Sequence, residues 1–404
     1  MQGISGFSGP EEPIHFGSVG NAGDLVAHRE QVGEAATTIM VSEQEQMAAV
    51  AEAPYPWILS PSLDLLFACG GMMWATFLAA EQLGWVRDVS TPQGFIMWFL
   101  WIIGVHFLSN SHTSFGWHRV ATSRFVSQKT KRFLGITGVV CLATAIPLAC
   151  NVGLTGIAVR VYLLWLIHHY VAQSFGITMI YCLKRGYKMS KLEKDLMRYM
   201  FNLLTLTICV KAFTYESYAG RMFFGIPVPF WGPIPEWIFL TVLYTFIGSA
   251  LAFAAMVVIK FFTQKQLFPL PALFNTLSVI GIFMISQKTT DPTVAIYIAS
   301  FYHGSQNIVI ATACHLKERG LPAGMKNCQI MQQVCSKYTL RYLLAMVAFG
   351  ILLVVVYPRI IGMFTHREQL AIIAVIVMQG THHFITEGII WKLRDPAARK
   401  IIVA

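Results

Sequence analysis

QLAIIAVIVMQGTHHFITEGIIW, residues 369–391, is the stretch on which the fold turns. Glu387 is its one charged residue, and a helix of this length crosses about 30 Å of hydrocarbon. Gln379, His383 and Glu387 follow one another at i, i+4 spacing, and His382 pairs with Thr386 in the same way. That spacing draws one polar stripe along an otherwise aliphatic helix. Lipid cannot satisfy such a stripe, so it must face the interior of a bundle. The run predicts a membrane helix with neighbours.

Nine further runs of comparable length recur, roughly 62–84, 94–115, 133–150, 154–183, 196–214, 236–262, 269–287, 292–315 and 338–357. The chain is 55% hydrophobic and 12% charged, half the charge of a soluble domain. We expect an all-α fold, a polytopic transmembrane bundle of about ten spans over residues 56–404. Twenty-two Lys and Arg follow the even-numbered runs, whereas the opposite connections hold only Arg87, Arg221, Lys288, Arg359 and Arg367. By the positive-inside rule both termini are expected in the cytoplasm. The net charge of +10 then reflects topology and attraction to membrane lipids, and no nucleic-acid partner is expected. Residues 1–55 differ: acidic, rich in Gly and Ser, without apolar period, they read as a disordered cytoplasmic tail containing His15 and His28. No basic-then-apolar leader opens it, so the first span is expected to be an uncleaved crossing. The expected location is the cytoplasmic (inner) membrane of a bacterium.

Histidine recurs at similar depth in four spans: His106 and His112, His168 and His169, His303, and His382 and His383. All four spans run in one direction. Counting back from the next basic residue puts the set about 10 to 22 Å above the basic rim at 1.5 Å per residue. Polar companions stand one helical turn away: Asn110 for His106, Gln173 for His169, Gln306 and Asn307 for His303, Gln379 and Glu387 for His383. Polar groups in hydrocarbon are costly, about 3 kcal/mol for a charged one, so a cluster needs a compensating partner. Neutral imidazoles in number suggest a metal such as iron, copper or zinc. Glu387 is the only clear carboxylate of the band, which disfavours calcium and magnesium. A tetrahedral zinc site would leave histidines over, so two ions, or a haem plus a metal, fit the number better. Asn110, Gln173, Gln306, Asn307 and Gln379 are the amides available to fix imidazole tautomers, and Glu387 is expected to bridge or orient.

The set His106, His112, His168, His169, His303, His382 and His383 resembles that of integral-membrane, histidine-rich non-haem iron enzymes. These include fatty-acid desaturases, hydroxylases and bacterial carotene-cleaving dioxygenases. The resemblance is one of pattern over the second to tenth runs. Desaturase boxes read HxxxH and HxxHH, whereas His106 and His112 lie six apart and both HH pairs lack a leading histidine. The resemblance implies an enzyme holding iron, two ions by the number of histidines, and acting with O2 on a lipid or isoprenoid substrate. It also implies a cytoplasmic electron donor. Two other readings stand beside it: a b-type haem electron-transfer protein with histidines from two helices as axial ligands, and a cation or proton transporter using the stripe as its path.

The remaining signals are weaker. His118 and His315 fall near span ends and read as interfacial, and His366 falls in an outer loop. Six of the eight cysteines lie in or beside spans, where Cys acts as a small apolar side chain, and Cys328 and Cys335 are too far apart for a CxxC knuckle. Pro227, Pro229, Pro233 and Pro235 mark an outer connection.

Overall fold

In the computed structural model, the described residues are 55–403 except 85–89, 220, 289–291, 320, 322–324, 327–328 and 392–395. The expected tail lies outside them apart from Tyr55, as do His15, His28 and Cys328. The described residues belong to one unit, Pro54–Ala404.

Helices occupy each stretch read as apolar from the sequence. In chain order they are α1 (Pro61–Ala68), α2 (Gly71–Gln82), α3 (Pro92–Thr122), α4 (Gln128–Cys150), α5 (Val152–Lys184) and α6 (Lys191–Thr214). Then come α7 (Glu236–Gln264), α8 (Leu270–Lys288), α9 (Pro292–Arg319), α10 (Lys337–Thr365), α11 (Glu368–Ile390) and α12 (Pro396–Val403). Their starts are written in the sequence. Ser127, Asn151, Ser190 and Ser336 each accept a hydrogen bond from a first-turn N–H, and Glu193 completes a capping box with Ser190. Seven of these helices are long and apolar enough to cross a membrane, or eight if α1 and α2 count as one bent span. In α8 the apolar part is Leu270–Ile285. In α9 the buried positions include Ser305, Gln306, Asn307 and Thr312.

Three departures from a plain bundle matter. First, α1 and α2 meet at 54° across Gly70, which has φ +94° and leaves room for Ser278 of α8 where a side chain would stand. Second, Gly104–Asn110 of α3 and Leu352–Val356 of α10 are π-helical turns, a form often found where a helix serves a site. Third, the connection between α6 and α7 carries a small antiparallel hairpin, Met222–Phe223 (β1) with Ile226–Pro227 (β2), in register Phe223↔Ile226. The proline-marked connection thus includes strand, which the all-α reading did not anticipate.

α11 is the central helix, packed against α3, α4, α5 and α10. α9 packs on α1, α2, α3 and α8. Close approach is built in: a Cβ on Gly304 of α9 would collide with the Leu108 carbonyl of α3. The hairpin marks one end of this core, where Gln369 at the start of α11 donates to the Phe224 carbonyl. Helix α12 marks the other, where Lys184 and Lys317 donate to the Val403 and Ile401 carbonyls at 2.9 and 3.3 Å. α5 therefore runs from the hairpin end to the α12 end, while α11 starts at the hairpin and α9 finishes at α12. At the periphery, Lys260 of α7 donates to both Glu193 oxygens of α6, at 3.0 and 2.8 Å, in a buried pair. The outer faces are apolar: Ile136 and Val139 of α4 and Leu251 of α7 are each 66% exposed. Such a belt is at home among lipid tails and not in water.

Candidate metal centre

Four side chains from three helices converge in the interior. The Nε2 atoms of His169 (α5), His303 (α9) and His383 (α11) lie 3.2, 3.2 and 3.3 Å from one another. Glu387, one turn beyond His383, brings Oε2 to 3.3 Å from His169 Nε2 and 3.6 Å from His383 Nε2. All four residues are buried. Three nitrogens about 3.2 Å apart have a point about 2.0 Å from all of them, the length of a metal–imidazole bond, and the Glu387 carboxylate lies on the same group, with all four donor atoms within 4.8 Å of one another. Neutral imidazoles cannot otherwise bring three ring nitrogens together profitably, since each ring has one N–H to offer and the others meet lone pair to lone pair. The donor set fits a metal ion.

The rings are held by packing. His303 stacks on Tyr170 with centroids 4.4 Å apart, and His169 lies 4.4 Å from the Phe384 ring. Tyr170 is itself tied to Ser300 at 2.8 Å. Asn307 Nδ2 donates to Glu387 Oε1, leaving Oε2 turned toward the histidines.

Gln173 and Gln306 act differently from the sequence expectation. Gln173 donates to the His303 carbonyl at 3.1 Å and to Gln306 Oε1 at 3.0 Å. Gln306 donates to the Ala68 carbonyl at 3.1 Å and to Asn275 Oδ1 at 2.7 Å. Asn275 in turn donates to the Ser174 carbonyl and Thr178 Oγ1, both at 2.7 Å, and accepts from Tyr302. These groups lock the backbones of α1, α5, α8 and α9 around the centre and do not orient imidazoles. Nδ1 of His303 and of His383 has no hydrogen-bond partner. Asn275 and Tyr302 were missed from the sequence. A lone Asn in the apolar run LFNTLSV was the available signal, because a membrane helix buries such a group only against a partner.

The remaining expected ligands divide. His112 stands beside the quartet, its ring edge-on to His383 and His303 at 4.5 and 4.9 Å. His106 is further along α3 in the π-turn, 3.4 Å from Asn110 Nδ2. His168 is exposed, one residue and so about 100° around α5 from His169. His382 faces α4, where Nε2 is 3.1 Å from the Leu134 carbonyl and the ring packs on Trp117 at 4.1 Å. Of the seven expected ligands, His169, His303 and His383 meet in the quartet, whereas His106, His112, His168 and His382 are not among its donors. His118 and His315 pack against each other and Tyr342 toward the α12 end, with His315 stacked on Tyr342 at 3.7 Å.

No protein-family model, curated protein or solved structure matches this chain.

The quartet adjoins a cavity of about 440 Å³, within the range of small-molecule sites. His383 and His112 line its inner end, and Arg359, Gln369 and Phe224, all exposed, line the end at the hairpin. Between them the walls are mainly apolar, with Val354 and Val355 from one π-turn and Val105 and Ser109 from the other among the lining residues. Gln369 and His383 are 14 residues apart on α11, about 21 Å along the helix axis. The geometry joins a candidate metal centre to a long apolar chamber.

Proposed function

We propose that this chain is a membrane-embedded, metal-dependent oxidoreductase that acts with O2 on a lipid or isoprenoid substrate. The observation that carries the reading is the opening of the His169–His303–His383–Glu387 quartet onto an apolar cavity through His383. The bundle would cross the cytoplasmic (inner) membrane ten times with both termini in the cytoplasm, as the distribution of basic residues suggests.

His169, His303 and His383 would hold one iron ion through Nε2, and Glu387 would supply a compensating negative charge. The seven-histidine count favoured two ions; among the described residues only one group of this kind forms, which favours one. Bound iron would supply the activation of O2. The chain's own contribution is placement and dryness. Asn307 fixes the Glu387 carboxylate, Tyr170 and Phe384 fix the rings, and Leu166 with Phe384 keeps the inner end of the cavity apolar. Substrate would reach the quartet along the cavity, and a cytoplasmic donor would dock on the basic connections near α12.

A b-type haem finds less support, because three imidazole nitrogens in mutual contact leave no slot for a planar macrocycle between two of them. A transporter would need a polar path on both sides of the quartet, whereas the cavity walls are mainly apolar.

Metal analysis of gently extracted protein, combined with alanine variants of the adjacent histidines, tests the reading. Near-stoichiometric iron is expected in the wild type and in His168→Ala, with loss in His169→Ala and His383→Ala. Absence of any tightly held redox metal from the wild type, or its retention by both site variants, would overturn the proposal.

A further inference from the structure

Gln379 is 2% exposed, and neither its amide nitrogen nor its amide oxygen has a hydrogen-bond partner. It lies one turn from His383 toward the hairpin end, about 6 Å along α11, and it lines the cavity. An unpaired buried amide costs about 1–3 kcal/mol, so its position beside the quartet calls for a ligand. The amide both donates and accepts. A hydroxyl is the smallest group that answers both needs, while a carboxylate only accepts and an alkane does neither. Among the cavity's described lining residues there is also no buried Lys or Arg to receive a carboxylate. The only Lys or Arg among them is Arg359, which is exposed and paired with Glu368 at 3.5 Å.

We propose that the cavity binds a hydroxyl-bearing hydrocarbon, with the hydroxyl on Gln379 and the chain extending past Ile376 and Ile372 toward the hairpin. This rests on the reading of the cavity as the substrate site and narrows the substrate to uncharged alcohols. At about 30 Å³ per water-sized group, the volume suits a ligand of about 15 non-hydrogen atoms.

The test uses the full chain in lipid nanodiscs, stripped of metal by chelation, and three photoactivatable probes: diazirine-bearing dodecanol, dodecane and dodecanoate. Labelled peptides are mapped by mass spectrometry. The alcohol is expected to label the Ile372–Ile376 segment about fivefold more than either of the others, the worth of one ordinary hydrogen bond. Gln379→Met should abolish that excess while alkane labelling persists, which shows that the chamber is intact. Equal labelling by the three probes in the wild type, or an excess that survives Gln379→Met, would overturn the proposal. The wild-type comparison decides even if the variant fails to fold. Because metal is absent throughout, failure here leaves the metal analysis standing, and a protein without iron leaves this selectivity standing.

Discussion

At the scale of single residues, the site depends on which of two neighbours points inward. His168 and His169 are consecutive, as are His382 and His383, yet one of each pair joins the quartet and the other turns to the outer surface or to the Leu134 carbonyl. Spacing alone located the four helices and their common level. It could not choose within a pair, because both members lie within one helical step of the polar stripe. The amides were legible as buried polar groups but not as to partner: Asn307 serves Glu387, whereas Gln173 and Gln306 serve backbone and Asn275. Replacing Asn307 with alanine frees the carboxylate, and metal affinity measured by equilibrium dialysis should fall about 10–100-fold. Gln379→Met removes an amide that has no partner, so the ligand-free variant should be more stable than wild type by about 1 kcal/mol in thermal or denaturant unfolding.

At the scale of elements, helix positions were the most legible feature. Long aliphatic runs bounded by Ser and Asn caps and by basic residues leave little choice of where a helix begins. The break at Gly70, the π-turns and the hairpin were not visible, since each follows from contacts with distant residues such as Ser278. The α6–α7 pair shows how charge is used away from the site. Lys260 and Glu193 are both buried and satisfy each other. Lys260→Met strands the carboxylate and should cost about 3–5 kcal/mol in unfolding experiments. The double variant with Glu193→Leu should regain most of that loss, since an apolar pair of similar volume needs no counter-charge.

At the scale of the whole molecule, α5 and α9 are tied at one end by α12, whose Ile401 and Ile402 are buried and whose carbonyls receive Lys184 and Lys317. Removing residues 396–404 should lower the unfolding temperature by several degrees and loosen metal retention, read together by thermal scanning and metal analysis. The chamber itself is lined by two wide turns, Gly104–Asn110 and Leu352–Val356. In an ordinary helix His106 and His112 would be about 120° apart around the axis. Across the wide turn both face the chamber. The phase of everything after Asn110 on α3 is thus set by chain length within that turn. Deleting one residue there would swing His112 by about 100° toward a different neighbour. Length between 104 and 110 is more tightly constrained than the identity of most side chains that fill it.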